Sequence, residues 1–157
     1  MKRITLLAVI ATGLAFGSLT SCTKEETKSS TSNNTTTDAR DLAVGTYSGI
    51  NMSVFDGQTS TDSVTFTVSK GAGTTLNITE DGITYATGSV VVSGKDFSGN
   101  IPTQSITSDG VTISIVGKGN NNEHFAFVDA QKAFSYEIQI NGGPFAGSSS
   151  SVIGFKK

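Results

Sequence analysis

An all-β domain, built as an antiparallel up-and-down β-barrel of eight or nine strands, is predicted for residues 42–157 by three features of the sequence. Apolar and polar residues alternate with a period of two, as in Val64-Thr65-Phe66-Thr67-Val68, which puts one face of a strand in a core and the other in solvent. Asp56-Gly57, Asp81-Gly82 and Asp109-Gly110 punctuate these runs and Asn141-Gly142 follows one; such dipeptides tolerate the positive φ angles of tight hairpins. No stretch of this region sustains a helical period.

Taken in order, the strands are expected near 45–55, 63–70, 74–79, 83–92, 103–107, 111–117, 123–129, 134–141 and 150–156. The alternation in Ile50-Met52-Val54, Leu76-Ile78, Ile83-Tyr85, Val111-Ile113-Ile115, Phe125-Phe127 and Phe134-Tyr136-Ile138-Ile140 marks one buried face in each run. Phe66, Val68, Ile113, Ile115, Phe134, Tyr136 and Ile138 are thus expected inside. Thr65, Thr67, Thr112, Ser114, Ser135 and Glu137 are expected outside, since the reverse phase would bury Glu137 without a partner. Sequential hairpins give an up-and-down order, and closing the sheet removes its edges, so a barrel is favoured over the alternative, a two-sheet β-sandwich. The region is long enough for one domain with one core.

The start of the chain has a different character. Lys2 and Arg3 precede a largely apolar run from Ile4 to Phe16, the pattern of a secretory signal over residues 1–21 and too short to span a bilayer. Leu19-Thr20-Ser21-Cys22 resembles the lipobox of bacterial lipoproteins. That resemblance implies diacylglyceryl transfer to the Cys22 thiol and cleavage before it, leaving the chain on a membrane through lipid. Cys22 is the only cysteine, so an intramolecular disulfide is excluded. Loss of the two charges of Lys2 and Arg3 takes the formal net charge from −2 to −4, a balance that argues against nucleic acid as a partner.

Residues 22–41 read as a disordered tether: the run of Ser, Thr and Asn has almost no apolar surface to offset its ordering entropy. Lys24-Glu25-Glu26 resembles the lysine-plus-two-acids signal that sends lipoproteins of Bacteroidota-type bacteria to the outer face of the outer membrane; a periplasm-facing location is the alternative. Asp62-Ser63-Val64 fits a short O-glycosylation pattern of the same bacteria, with Ser63 as acceptor.

Gly45-Thr46-Tyr47-Ser48-Gly49 at the first strand, the Asp-Gly hairpins, Phe97-Ser98-Gly99-Asn100-Ile101-Pro102, and Phe127-Val128-Asp129-Ala130 leading into Phe134-Ser135-Tyr136 together resemble the small lipocalin-like, or calycin-like, lipoproteins of Bacteroidota. The likeness covers most of residues 44–157 and implies a barrel that binds a small apolar molecule or a partner. True lipocalins open with Gly-x-Trp and stack a late Arg on that Trp. Here Tyr47 stands in for Trp, and no Arg follows Arg40, so Lys156 is the substitute.

The residues offer no catalytic constellation, and no enzyme, metal or cofactor is expected. His124 is the sole histidine and lies in the polar run Asn120-Asn121-Asn122-Glu123-His124, which reads as a surface turn. Glu80-Asp81 and Asp109 occupy turns, and Asp129 ends a strand. Gly117-Lys118-Gly119 lacks the order of a phosphate-binding loop, and no run of spaced acids supplies a calcium site. Phe66, Tyr85, Phe125, Phe127, Phe134 and Tyr136 are read first as packed core and second as the lining of a cavity. The functions that remain are a lipid-anchored binding or interaction module of the cell envelope, its partner a small apolar ligand, a glycan or a protein, and a lipocalin-like carrier of an apolar molecule in the barrel.

Overall fold

A computed structural model describes residues 38–157. The expected signal segment, Cys22 and Lys24, Glu25 and Glu26 lie outside the described residues. The described chain is antiparallel β, in eleven strands: β1 (Gly45–Phe55), β2 (Gln58–Lys70), β3 (Leu76–Glu80), β4 (Ile83–Ala86), β5 (Val91–Ser93), β6 (Asp96–Gly99), β7 (Gln104–Ser108), β8 (Val111–Gly117), β9 (Phe125–Val128), β10 (Ala133–Gly142) and β11 (Ser149–Lys156). Nine of them form one continuous, strongly curled sheet in the order β4-β3-β2-β1-β11-β10-β9-β6-β5. The barrel-like all-β architecture expected from the sequence is present.

Three hairpins turn where Asp-Gly predicts. Both residues of each pair have positive φ: 48° and 74° at Asp56-Gly57, 48° and 79° at Asp81-Gly82, and 51° and 79° at Asp109-Gly110. These are the angles whose twist matches two antiparallel strands. Asn141-Gly142 is not a turn. It closes β10 at a register irregularity, and the chain reverses over Gly143–Ser148 instead.

The order departs from a plain meander. The expected single strand near 83–92 breaks at Thr87, whose Oγ1 accepts the Leu76 N–H at 2.9 Å while its own N–H donates to the Leu76 carbonyl at 2.8 Å. β5 then pairs with β6, and β6 pairs with β9. β10 carries two neighbours along one edge: Ala133–Tyr136 pair with β9, and Ile138–Gly142 pair with β8. β1 pairs with both β2 and β11.

The gap between β4 and β7 is bridged without a ladder. The Gln104 carboxamide accepts from Ala86 N–H and donates to the Ala86 carbonyl, both at 2.9 Å, so a side chain takes the place of a strand neighbour. Gly88 N–H donates to the Asn100 carbonyl at 2.8 Å beside it. Backbone groups of β4 that would otherwise form an open edge are thereby satisfied.

Phe66, Val68, Ile115, Phe134, Tyr136 and Ile138 are buried as expected, and Ile113 is half-buried. Thr65, Thr67, Thr112 and Glu137 are exposed, while Ser114 and Ser135 are half-buried on the outer face. β1 corrects the expectation: Ile50, Met52 and Val54 face outward and are exposed. Tyr47 sets the phase. Its ring is fully buried and stacks on Phe66 at 5.2 Å, so Gly49, Asn51 and Ser53 share its side and the even positions point to solvent. Gly154 leaves room for that stack, since a Cβ there would lie 2.6 Å from the Phe66 ring.

The folded part also begins before Leu42. Asp38 caps a 3₁₀ turn over Ala39–Leu42, Arg40 donates to the Thr75 carbonyl at 2.8 Å, and Lys70 pairs with Asp38 and Asp41. Residues 38–41 therefore belong to the domain and not to a tether. The Arg40 guanidinium beside Asp38 holds its carboxyl well below the usual carboxylate range.

A candidate ligand cavity at the hairpin end

The two ends of the barrel differ. At the end where β1 starts, the interior is filled. Tyr47 donates its hydroxyl proton to the Ala43 carbonyl at 2.6 Å, and Lys156, opposite Tyr47 in the β1–β11 register, donates to the Leu42 carbonyl at 3.0 Å. Burial pushes the Tyr47 phenol up to about 12. Phe134 stacks on Phe125 at 5.7 Å, Phe66 meets Tyr136 edge-on at 5.3 Å, and Phe97 stacks on Phe127 at 5.0 Å. The six aromatic residues weighed as a cavity lining are thus mostly packed on one another, and of them Tyr85 reaches a cavity in the interior.

Toward the other end the filling changes from rings to isoleucines. A cavity of about 230 Å³ is bounded by Ile83, Ile106, Ile113, Ile115, Ile138 and Ile140, with Asn51, Ser150, Glu80, Asp81 and Tyr85 at its polar side. A second space of about 250 Å³ adjoins it, sharing Ile83, Ile106 and Ile113 and reaching Val111, Phe145, Ser108 and Asp109. The turns β3–β4, β7–β8 and β10–β11 supply this rim. β2 from Gln58 to Thr65 pairs only with β1, so the β1–β2 hairpin extends past β3, and Phe55 near its tip packs on Phe145 at 6.1 Å. Together the two spaces fall in the size range of small-ligand sites, which are mostly apolar with a few placed polar groups.

The polar floor is specific. Glu80 Oε2 accepts hydrogen bonds from the hydroxyls of Tyr85, at 2.9 Å, and Tyr136, whose rings lie 5.9 Å apart. Burial, followed by the negative charge of Glu80, pushes the Tyr85 phenol far above its ordinary value; burial, then the neighbouring Tyr85 and Glu80, does the same to Tyr136. Both phenols therefore stay protonated and donate. Among the described residues no lysine or arginine forms an ion pair with Glu80. Beside it Ser150 donates to Asn51 Oδ1 at 2.7 Å.

A depression of about 600 Å³ is a groove on the outer wall of β9, β10 and β11, bordered by Ser135, Glu137, Ser151, Ile153 and the Gly119–His124 loop. Glu123, His124 and Glu137 are among the residues that line it.

His124 proves structural. It is half-buried, and its ring Nδ1 accepts the Ile101 N–H at 3.0 Å while its backbone N–H donates to the Gly99 carbonyl at 2.8 Å. Ring and backbone together so join the end of β6 and the segment after it to the start of β9, where a plain surface turn is expected from the sequence. Ser63 is exposed on the outer face of β2, opposite Ile50. Asp129 pairs with Lys132, and no group of three or more His, Cys, Asp or Glu able to hold a metal occurs among the described residues.

Sequence reasoning named Glu80, Asp109 and Tyr85 separately, but not as parts of one site. The available signal was aliphatic, not aromatic, residues at the inward positions nearest the hairpin turns. No family model, curated protein or solved structure matches the chain.

Proposed function

We propose that this chain is a lipid-anchored β-barrel of the bacterial cell envelope that binds a small, largely apolar molecule in the cavity at its hairpin end. The observation that carries the reading is the isoleucine-walled space left beside an otherwise tightly packed aromatic core. A domain of this size gains stability from filling its interior, so apolar walls left around an open space favour a site over a defect. Attachment through Cys22 rests on Leu19-Thr20-Ser21-Cys22, and display at the outer membrane surface on Lys24-Glu25-Glu26.

The test uses the absence of tryptophan from the chain. Ile113→Trp places an indole in the cavity and removes the space. The full-length protein should bind an apolar, polarity-sensitive naphthalene dye saturably, and Ile113→Trp should lose that signal while keeping a native far-UV spectrum. Undiminished dye binding in the folded variant would refute the cavity.

A further inference from the structure

Given the proposed cavity, its floor and rim define the chemistry of the ligand's polar group. Glu80 lines the inner space, half-buried, with its charge met by two neutral phenol donors and by no cation. Asp81 borders the same space and Asp109 the adjoining one. Four basic side chains are engaged elsewhere, Arg40 with Asp38, Lys70 with Asp38 and Asp41, Lys132 with Asp129, and Lys156 with the Leu42 carbonyl at the filled end, and none of Lys95, Lys118 and Lys157 lines either space. A carboxylate beside apolar walls is less screened than one in open water, so its sign discriminates among ligands.

We propose that the cavity selects a small apolar molecule ending in a cationic group, an organic ammonium, and rejects the matching carboxylate. The alkyl part lies against Ile83, Ile106 and Ile113. The ammonium completes Glu80, whose second oxygen is left to accept from it while the first keeps the two phenols. An anionic amphiphile of the same shape meets three carboxylates and no cation. This selectivity rests on the cavity reading but goes beyond it, because an apolar cavity alone is indifferent to the sign of the head group.

The experiment uses the full-length protein in membrane vesicles and two photo-crosslinkers with the same short alkyl-diazirine skeleton, one ending in an ammonium and one in a carboxylate. Peptide mapping reads which residues are labelled. The ammonium probe should label Ile83, Ile106 or Ile113 about tenfold more than the carboxylate probe, as expected for one favourable and several unfavourable charge contacts. Glu80→Gln, which keeps the side-chain shape and an acceptor for the phenols, should bring that ratio several-fold toward one while cavity labelling persists. Because the vesicles are the same, partitioning of the probes into lipid cannot produce this change. Should Glu80→Gln fail to fold, Asp81→Asn should lower the ratio by a smaller factor. Equal labelling by the two probes, or a ratio unmoved by the folded variant, overturns the cation selectivity and leaves the cavity standing. Labelling by neither probe of any cavity residue overturns the cavity itself, and this inference with it.

Discussion

Truncation of Phe134 to Ala tests whether the aromatic cluster holds the barrel together. Phe134 is completely buried on β10, with ring centroids at 5.7 Å from Phe125 and Tyr47 and 6.1 Å from Phe66. Losing a buried Phe costs about 3–5 kcal/mol, the spread depending on how far the surroundings collapse into the space. Here the neighbours come from β9, β1 and β2, each tied into its own ladder. Collapse would need three strands to shift together, and the stacked pair with Phe125 is lost as well, which puts the value at about 4–5 kcal/mol. That is a large part of the roughly 5–15 kcal/mol available to a domain. Thr67→Ala on the exposed face of β2, opposite Thr46 and Thr79, should cost less than about 0.5 kcal/mol. Urea melts followed by far-UV circular dichroism give both numbers, provided the slopes agree. Similar losses for the two variants would show that the inner and outer faces are misassigned.

Alkaline unfolding should be cooperative with phenol ionisation. Burial raises Tyr47 from 10.0 to about 12 and lifts Tyr85 and Tyr136 further, so the stability these phenols contribute is intact below pH 10 and is lost as pH rises through their folded values. Since the chain has three tyrosines, phenolate absorbance should appear with loss of the fold, and substantial ionisation in the native state below pH 11 would contradict the burial. His124→Ala leaves the Ile101 N–H without its acceptor and should cost about 1–3 kcal/mol in thermal or denaturant melts, whereas a surface histidine would cost almost nothing. Cys22→Ala should abolish acylation and leave an uncleaved or mislocalised precursor, checked by mass spectrometry of the intact protein. Replacing Lys24, Glu25 and Glu26 together with Ala should move the protein from the cell surface to the periplasmic side, as read by protease shaving of intact cells; unchanged shaving would remove that role from the three residues.

Much of this barrel is legible in the sequence because its strands obey local rules. The Asp-Gly pairs need φ values that few other residues accept, so three hairpins announce themselves. The inward positions of β2, β8 and β10 follow from period two. What escapes is set by distant contacts. β6 has one inward aromatic, Phe97, in four residues and no alternation long enough to detect. The docking of both β8 and β9 on β10 leaves no periodic trace, since any strand with one apolar face can pair with either. In β1, Ile50-Met52-Val54 alternates as well as any core run, yet Tyr47 and Gly49 decide the phase through Phe66 and the paired strand β11. The cavity is invisible for a similar reason: whether an inward isoleucine packs or lines a space depends on how high in the barrel it lies. His124 belongs to the same class, its acceptor role created by the return of residues 99–101 beside it.

The two ends of the barrel are built on opposite electrostatic plans, and this constrains how the site can be filled. At the filled end, cations meet carboxylates and backbone carbonyls within hydrogen-bonding reach, so charge there closes the structure. At the hairpin end the same Asp-Gly turns that shape the loops also place Asp56, Asp81 and Asp109 around or near the opening, and Glu80 lies deeper with phenols instead of a counter-cation. The turn chemistry that specifies the fold thus also sets the sign of the potential at the mouth. A ligand of the proposed kind would enter at the hairpin end, past the carboxylates that the turns place there. The other end offers no second entrance, because Tyr47 and Ala43 are fully buried there beneath the Ala39–Leu42 turn.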